Sequence, residues 1–230
     1  MRSPTLAVTL ALALCLTLPA AAVAATAPAP VLPADPETHY QALLAAAKAA
    51  APNVDWRELR LAYSRRPNFN GMGPGDAKKR MFEAGETGDC VTALSAAKAL
   101  LDQTYVDIDA HLVAAFCEDK AGDKVAAQLD RDIGAGLVAS VRTGDGLSPA
   151  SAFTPIDVDE EYAVMRALGA RVTGQSLIQS GGHAYDALSS IDQAGHQATY
   201  YFLIDRVLAA ESAALKPGSV SEGGPPGHSP

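Results

Sequence analysis

Tryptophan occurs once in 230 residues, cysteine three times, and aromatic residues of every kind make up only 6%. So few cysteines cannot staple a small disulfide scaffold, and the core has to be packed from aliphatic side chains. Basic residues are also in the minority: Lys and Arg number 18 against 26 Asp and Glu, a formal net charge of -8. A nucleic-acid binder needs a basic surface to replace condensed counterions, so this balance argues against a nucleic-acid partner. No stretch of about 20 uninterrupted apolar residues occurs beyond the N-terminal segment, so no membrane span is expected there.

The N-terminus supplies the first positive signal. Arg2, the apolar run Leu6 to Leu18 and the small residues Ala22-Val23-Ala24 have the order of a secretory signal peptide over 1–24. The chain is therefore expected to be exported, into the periplasm. Removing this segment takes away Arg2 and no acid, so the net charge moves from -8 to -9. Of the cysteines, Cys90 and Cys117 remain, and an oxidising compartment permits either a disulfide between them or a pair of buried thiols.

Composition then divides the chain. Residues 25–36 are rich in Pro and Ala and read as a linker, while 216–230, with many Gly, Pro and Ser, reads as a disordered tail. Between them, 37–142 has helical periodicity and 143–215 has the pattern of an α+β region packed on it. In Asp55-Trp-Arg-Glu-Leu-Arg-Leu-Ala-Tyr63, Trp56, Leu59 and Tyr63 share a face, Asp55 stands as N-cap, and the arginines, Arg60 among them, are expected on the outer side. Pro67 follows the end of this helix, leaving Arg65, Arg66, Asn68 and Asn70 as a candidate ligand-binding corner for an anionic polymer.

An internal echo follows. Gly88-Asp89, Val91 and Ala93 align with Gly122-Asp123, Val125 and Ala127 at an offset of 34 residues, the period of the tetratricopeptide repeat. Helices are expected over about 89–103, 108–121 and 124–141, which would bring Cys90 near Cys117.

The second half changes period. Phe153 to Val158 reads as a short strand and the next segment as a helix capped by Asp157 or Asp159 and stopped by Gly169. Three strand-like runs follow over 171–179, 183–191 and 197–205, broken by Gly181-Gly182 and by Asp192 to Gly195. The expected fold is α+β: tetratricopeptide-like antiparallel helices, then a small antiparallel sheet with one packed helix.

Catalytic signatures are missing. There is no nucleophile elbow, phosphate loop or dinucleotide fingerprint, and His39, His111 and His196 have no zinc-ligand spacing. The acids Asp157, Asp159, Glu160 and Glu161 lack the alternation of a calcium loop and suit a helix N-terminus. No catalytic residue, metal site or cofactor is expected. His183 and Tyr185, on one face of a strand, are the remaining ligand-binding candidates.

Several stretches together carry a family likeness. Asp55-Trp56-x-x-Leu59-Arg60-x-Ala62-Tyr63, Pro67-Asn68-Phe69-Asn70, the Gly-Asp turns and Gly144-Asp145-Gly146-x-Ser148-Pro149 are followed by Asp159-Glu160-Glu161-Tyr162-x-x-x-Arg166. Gly182-His183-x-Tyr185-Asp186 and Tyr201-Phe202-x-Ile204-Asp205 complete the ordered set. It resembles an exported bacterial family, domain of unknown function 4919, and departs from its pattern at Gly71-Met72. The resemblance implies tetratricopeptide-like helices with an α+β end, and no activity. The expected role is a non-enzymatic periplasmic interaction or scaffold protein whose partner is another envelope protein. The alternative is a small envelope hydrolase or ligand-binding enzyme centred near His183.

Overall fold

The computed structural model describes residues 35–49, 53–67, 69 and 75–215. The expected signal segment, the linker up to residue 34, Asn68, Asn70 and the tail 216–230 lie outside the described residues.

The helical part starts at the last residue of the expected linker, with its cap one residue earlier. Asp35 accepts the N–H groups of Glu37 and Thr38, and Pro36 fills the first turn of α1 (Pro36–Lys48). Asp55 caps α2 (Trp56–Tyr63) through the Glu58 N–H, as its position implied. Leu59 is fully buried, whereas Trp56 and Tyr63 are half-buried against the same core.

Beyond α3 (Gly75–Glu86), one turn is built twice. Gly88, at φ 77°, ends α3, and Asp89 caps α4 (Cys90–Gln103) through the Thr92 N–H. Gly122, at φ 87°, ends α5 (Ile108–Ala121), and Asp123 caps α6 (Lys124–Val141) through the Ala126 N–H. Each Asp N–H also reaches back to a carbonyl of the helix just ended, Ala84 or Glu118. Glycine stands at both turns because only it enters the left-handed region without a Cβ penalty. Beyond the caps, Val91 and Val125 are both 83% exposed while Ala93 and Ala127 are both fully buried. The 34-residue echo therefore repeats a turn and the facing of the helix that follows it.

A short 3-10 turn, Pro149–Ser151, leads to α7 (Val158–Ala167), the strands β1 (Ala170–Ser180), β2 (His183–Asp192) and β3 (Gln197–Leu203), and α8 (Asp205–Ala214). The sheet is antiparallel in the order β1-β2-β3, so the fold is α+β. Two expectations are corrected here. Phe153 to Val158 is no strand: Phe153 alone makes a bridge, parallel to Phe202, since Pro155 has no N–H to donate and Asp157 is already the cap of α7. The third strand stops at Leu203 because Asp205 opens α8, so two helices flank the sheet where one was expected.

Two kinds of core hold this together. The larger one runs from Tyr40 and Leu59 through Leu137, Phe153 and Val164 to Leu188 and Phe202, joining α1, α2, α6, α7 and the sheet. Gly136 on α6 makes room for Trp56, since a Cβ there would lie 2.4 Å from the indole Nε1. The smaller core, Met81, Ala97, Leu100, Ala110 and Ala114, lies among α3, α4 and α5, where alanines let the helices approach closely.

Candidate functional site

The expected ligand corner on α2 is occupied by internal contacts. Arg65 donates to Glu58 at 2.8 Å, and Arg66 donates to Glu37 at 2.6 and 3.1 Å while stacking on Tyr40 with its guanidinium carbon 4.7 Å from the ring centre. Arg66 pins α1 to the end of α2, while Arg65 folds back onto α2 itself, onto the glutamate that also meets His39 of α1. Asn68 and Asn70 lie outside the described residues. Arg57 is exposed, as the outer-face reading required.

Arg60 corrects that reading, being only 1% exposed. Its guanidinium grips Glu160 with Nε and Nη2, and Nη1 and Nη2 donate further to Ser140 Oγ and the Thr154 carbonyl. Glu160 also accepts the Ile156 N–H at 2.8 Å. A carboxylate and guanidinium so fully hydrogen-bonded can be taken out of water together. The one-face periodicity of an eight-residue helix cannot reveal this, because the partner lies 100 residues away.

The acid run at the start of α7 spreads in four directions rather than forming one cluster. Asp157 accepts the Glu160 N–H, Asp159 meets Lys78, Glu160 meets Arg60, and Glu161 turns toward the sheet. Lys78 Nζ lies 3.1 Å from each of Asp107, Asp109 and Asp159. Burial alone would lower its pKa, yet the three carboxylates outweigh that and hold it above the ordinary lysine value. Burial pushes the Asp157 carboxyl up to about 8, with the neighbouring Glu160 charge adding to the effect. Glu161 is fully buried and neither of its oxygens has a hydrogen-bond partner. Burial, reinforced by the Asp186 charge, pushes it up to about 9, so it carries a proton at neutral pH. Among the described residues, no group of three or more His, Cys, Asp or Glu is placed to hold a metal ion.

His183 Nδ1 lies 2.5 Å from Asp205 Oδ2, and the other Asp205 oxygen accepts the Ala184 N–H. Both side chains are about half exposed. Tyr185 is buried in the central strand, two residues along the same face. The pair ties the start of β2 to α8. Elsewhere, His111 is buried between Asp130 and the Tyr105 carbonyl, a structural histidine on α5.

An apolar groove lies elsewhere, between α3, α5 and α7. Phe82, Leu112, Val113 and Phe116 line this groove of about 390 Å³, with Arg166 and Glu86 as the charged residues beside Asp109 in its lining. Arg166 donates to Asp109 at 3.0 and 2.6 Å while its guanidinium sits 5.3 Å from the Phe82 ring centre, so its charge is matched inside the protein. Phe116, by contrast, is 53% exposed. Sequence reasoning did not single out these residues. The available signal was that Ile108, Leu112, Val113, Phe116 and Cys117 spread over about half the circumference of α5, wider than the stripe of a helix with one neighbour.

Cys117 also borders the groove, and its sulfur lies 2.6 Å from that of Cys90; both are free thiols here. Burial pushes the Cys117 thiol up to about 12, with Cys90 adding to the effect. Cys90 is the more accessible of the two, in the first turn of α4.

No curated protein and no solved structure matches this chain. Residues 34–213 match the family described as Domain of unknown function (DUF4919), the span that holds the Arg60–Glu160 pair, the sheet and the groove, and the chain belongs to that family.

Proposed function

We propose that this protein is an exported, non-enzymatic interaction protein of the cell envelope, in which tetratricopeptide-like helices present the groove between α3, α5 and α7 to another envelope protein. The exposed Phe116 beside Phe82, Leu112 and Val113 carries the reading, because a concave apolar surface is costly to leave in water. Charge selects the occupant. Arg166 is neutralised by Asp109, whereas Glu86 in the lining is exposed and has no ion pair among the described residues, on an acidic chain. The fitting partner is a segment that offers one large apolar side chain next to a Lys or Arg.

A photo-crosslinking residue at position 116 tests this in cells that express the full chain. One envelope protein should be captured from position 116 and lost when Glu86→Lys is added, while the same probe at the exposed Leu129 should not capture it. Equal capture from both positions, or none from 116, would overturn the reading. The alternative, an envelope hydrolase centred on His183, draws on the 2.5 Å contact with Asp205, which could orient the imidazole. It requires a turnover that disappears in His183→Ala.

Export would place Cys90 and Cys117 in an oxidising compartment. There the two thiols give two protons and two electrons to the disulfide of a protein dithiol oxidant, joining their sulfurs and leaving the oxidant as a dithiol. Their proximity supports this. The exported chain should then resist alkylation at both positions until a reductant is added. Full alkylation without reductant would count against the disulfide and the compartment together.

A further inference from the structure

The two edges of the sheet are finished differently. β3 is covered: the Tyr201 N–H donates to the Gly146 carbonyl, the Tyr201 carbonyl accepts the Phe153 N–H, and the Leu203 N–H donates to the Phe153 carbonyl. All outward-facing backbone groups at these two residues except the Leu203 carbonyl are thus paired with the connection before α7.

Among the described residues, β1 has no such cover. It joins β2 through Gly181 and Gly182, at φ 59° and 84°, the backbone of a two-residue hairpin turn, so Ser180 and His183 face each other as a hydrogen-bonded pair. Alternation along the ladder then turns the N–H and C=O groups of Gln175, Leu177 and Gln179 away from β2. The bond from the Ile204 N–H to the Ala184 carbonyl fixes the same phase on the other side of β2. Among the described residues, no backbone bond outside the sheet reaches Gln175, Leu177 or Gln179.

Native proteins usually guard such an edge with a lysine, a proline, an inward charge or a bulge. β1 bulges between Val172 and Gly174, but the stretch from there to Ser180 contains no charge and no proline. Leu177, at its centre, is 61% exposed.

We infer that β1 is an interface for a second copy of this chain, the two β1 strands pairing antiparallel about a two-fold axis through Leu177. In that register Leu177 meets its twin, Gln175 lies opposite Gln179, and every outward N–H and C=O of this stretch gains a partner. The charge pattern favours a copy of the same chain. Arg171 is the one charged residue of β1, and antiparallel pairing carries each Arg171 toward the other copy's hairpin turn, far from its twin. The pairing would close a continuous six-stranded sheet and bury the exposed leucine from both sides.

Sedimentation velocity of the full exported chain across micromolar concentrations tests this. The wild type should dimerise, and Leu177→Lys should weaken the dimer at least about tenfold, because like charges then meet on the axis. Leu177→Cys keeps the test open should the lysine variant fold poorly: under mild oxidation it should crosslink to its own copy through position 177, while Val125→Cys, more exposed still but on α6, should not. A wild type that stays monomeric, a dimer unaffected by Leu177→Lys, or equal crosslinking from both cysteine positions would overturn the proposal.

Discussion

The helices α4 to α6 and the junction around α7 are held by opposite means. In the first region the turns before α4 and before α6 are closed by neighbours in sequence, a left-handed glycine followed by an aspartate that caps the next helix, and an alanine core lets the helices approach. At the junction the decisive contacts span the chain, with Arg60 on Glu160, Lys78 on Asp159, and Glu161 facing Asp186 across to the sheet. Local closure repeats cheaply, so one turn occurs twice. Long-range closure of buried charge cannot repeat, because each ion needs its own partner at an angle set by the whole fold. The repeat-like helices are thus the regular part, and α7 is what fastens them to the sheet.

The largest effect is expected where the junction loses a partner. Arg60→Met leaves Glu160 buried without its cation and should cost about 3–5 kcal/mol in urea unfolding. Arg60→Met with Glu160→Leu should recover much of that loss, since two apolar side chains need no pairing. A single substitution costing well under 1 kcal/mol would mean that the pair is hydrated in solution, and the contrast between the regions would fail.

The next effect separates two adjacent glutamates on α7. Glu160 is matched by a cation, and Glu161 by a proton. Its folded pKa of about 9 lies above the unfolded value of 4.5, so between those limits the folded state binds the additional proton. The stabilisation is complete below about pH 4.5 and is lost as pH rises toward 9, with a slope of at most about 1.4 kcal/mol per pH unit. Glu161→Gln, a neutral side chain of the same shape, should remove this share and flatten the decline between pH 5 and 9, leaving the smaller share from Asp157. Identical slopes for the two proteins would show that Glu161 is not the proton-holding group.

The same division decides what was legible in the sequence. The Gly-Asp turns, the cap Asp55, the choice of Asp157 or Asp159 as the cap of α7, the three strands and the approach of Cys90 to Cys117 follow from spacings of a few residues or from one repeat period. Arg60 was misplaced because short helical periodicity assigns a face without knowing what fills it. The acids of α7 were read correctly as a helix start but not as four separate contacts, since their partners come from α2, α3 and β2. The groove was invisible for a related reason: Phe82, Phe116 and Arg166 meet only once three helices are packed.

The smallest effect is also the sharpest test of repetition. If Asp89 and Asp123 do the same work, Asp89→Ala and Asp123→Ala should each lose one side-chain acceptor at a helix N-terminus, for about 1 kcal/mol apiece. Both caps are exposed, so neither loss carries a burial term that would separate them. The two caps differ in one donor, however: hydrogen bonds from Thr92, side chain first and then backbone, hold Asp89 below the ordinary aspartate value, and the residue at the matching position after Asp123 is Ala126, which has no hydroxyl to add. Asp89→Ala should therefore cost slightly more than Asp123→Ala, and the difference should shrink in Thr92→Ala. Unequal losses that survive Thr92→Ala would mean that the two turns only look alike, with one helix end held by tertiary contacts.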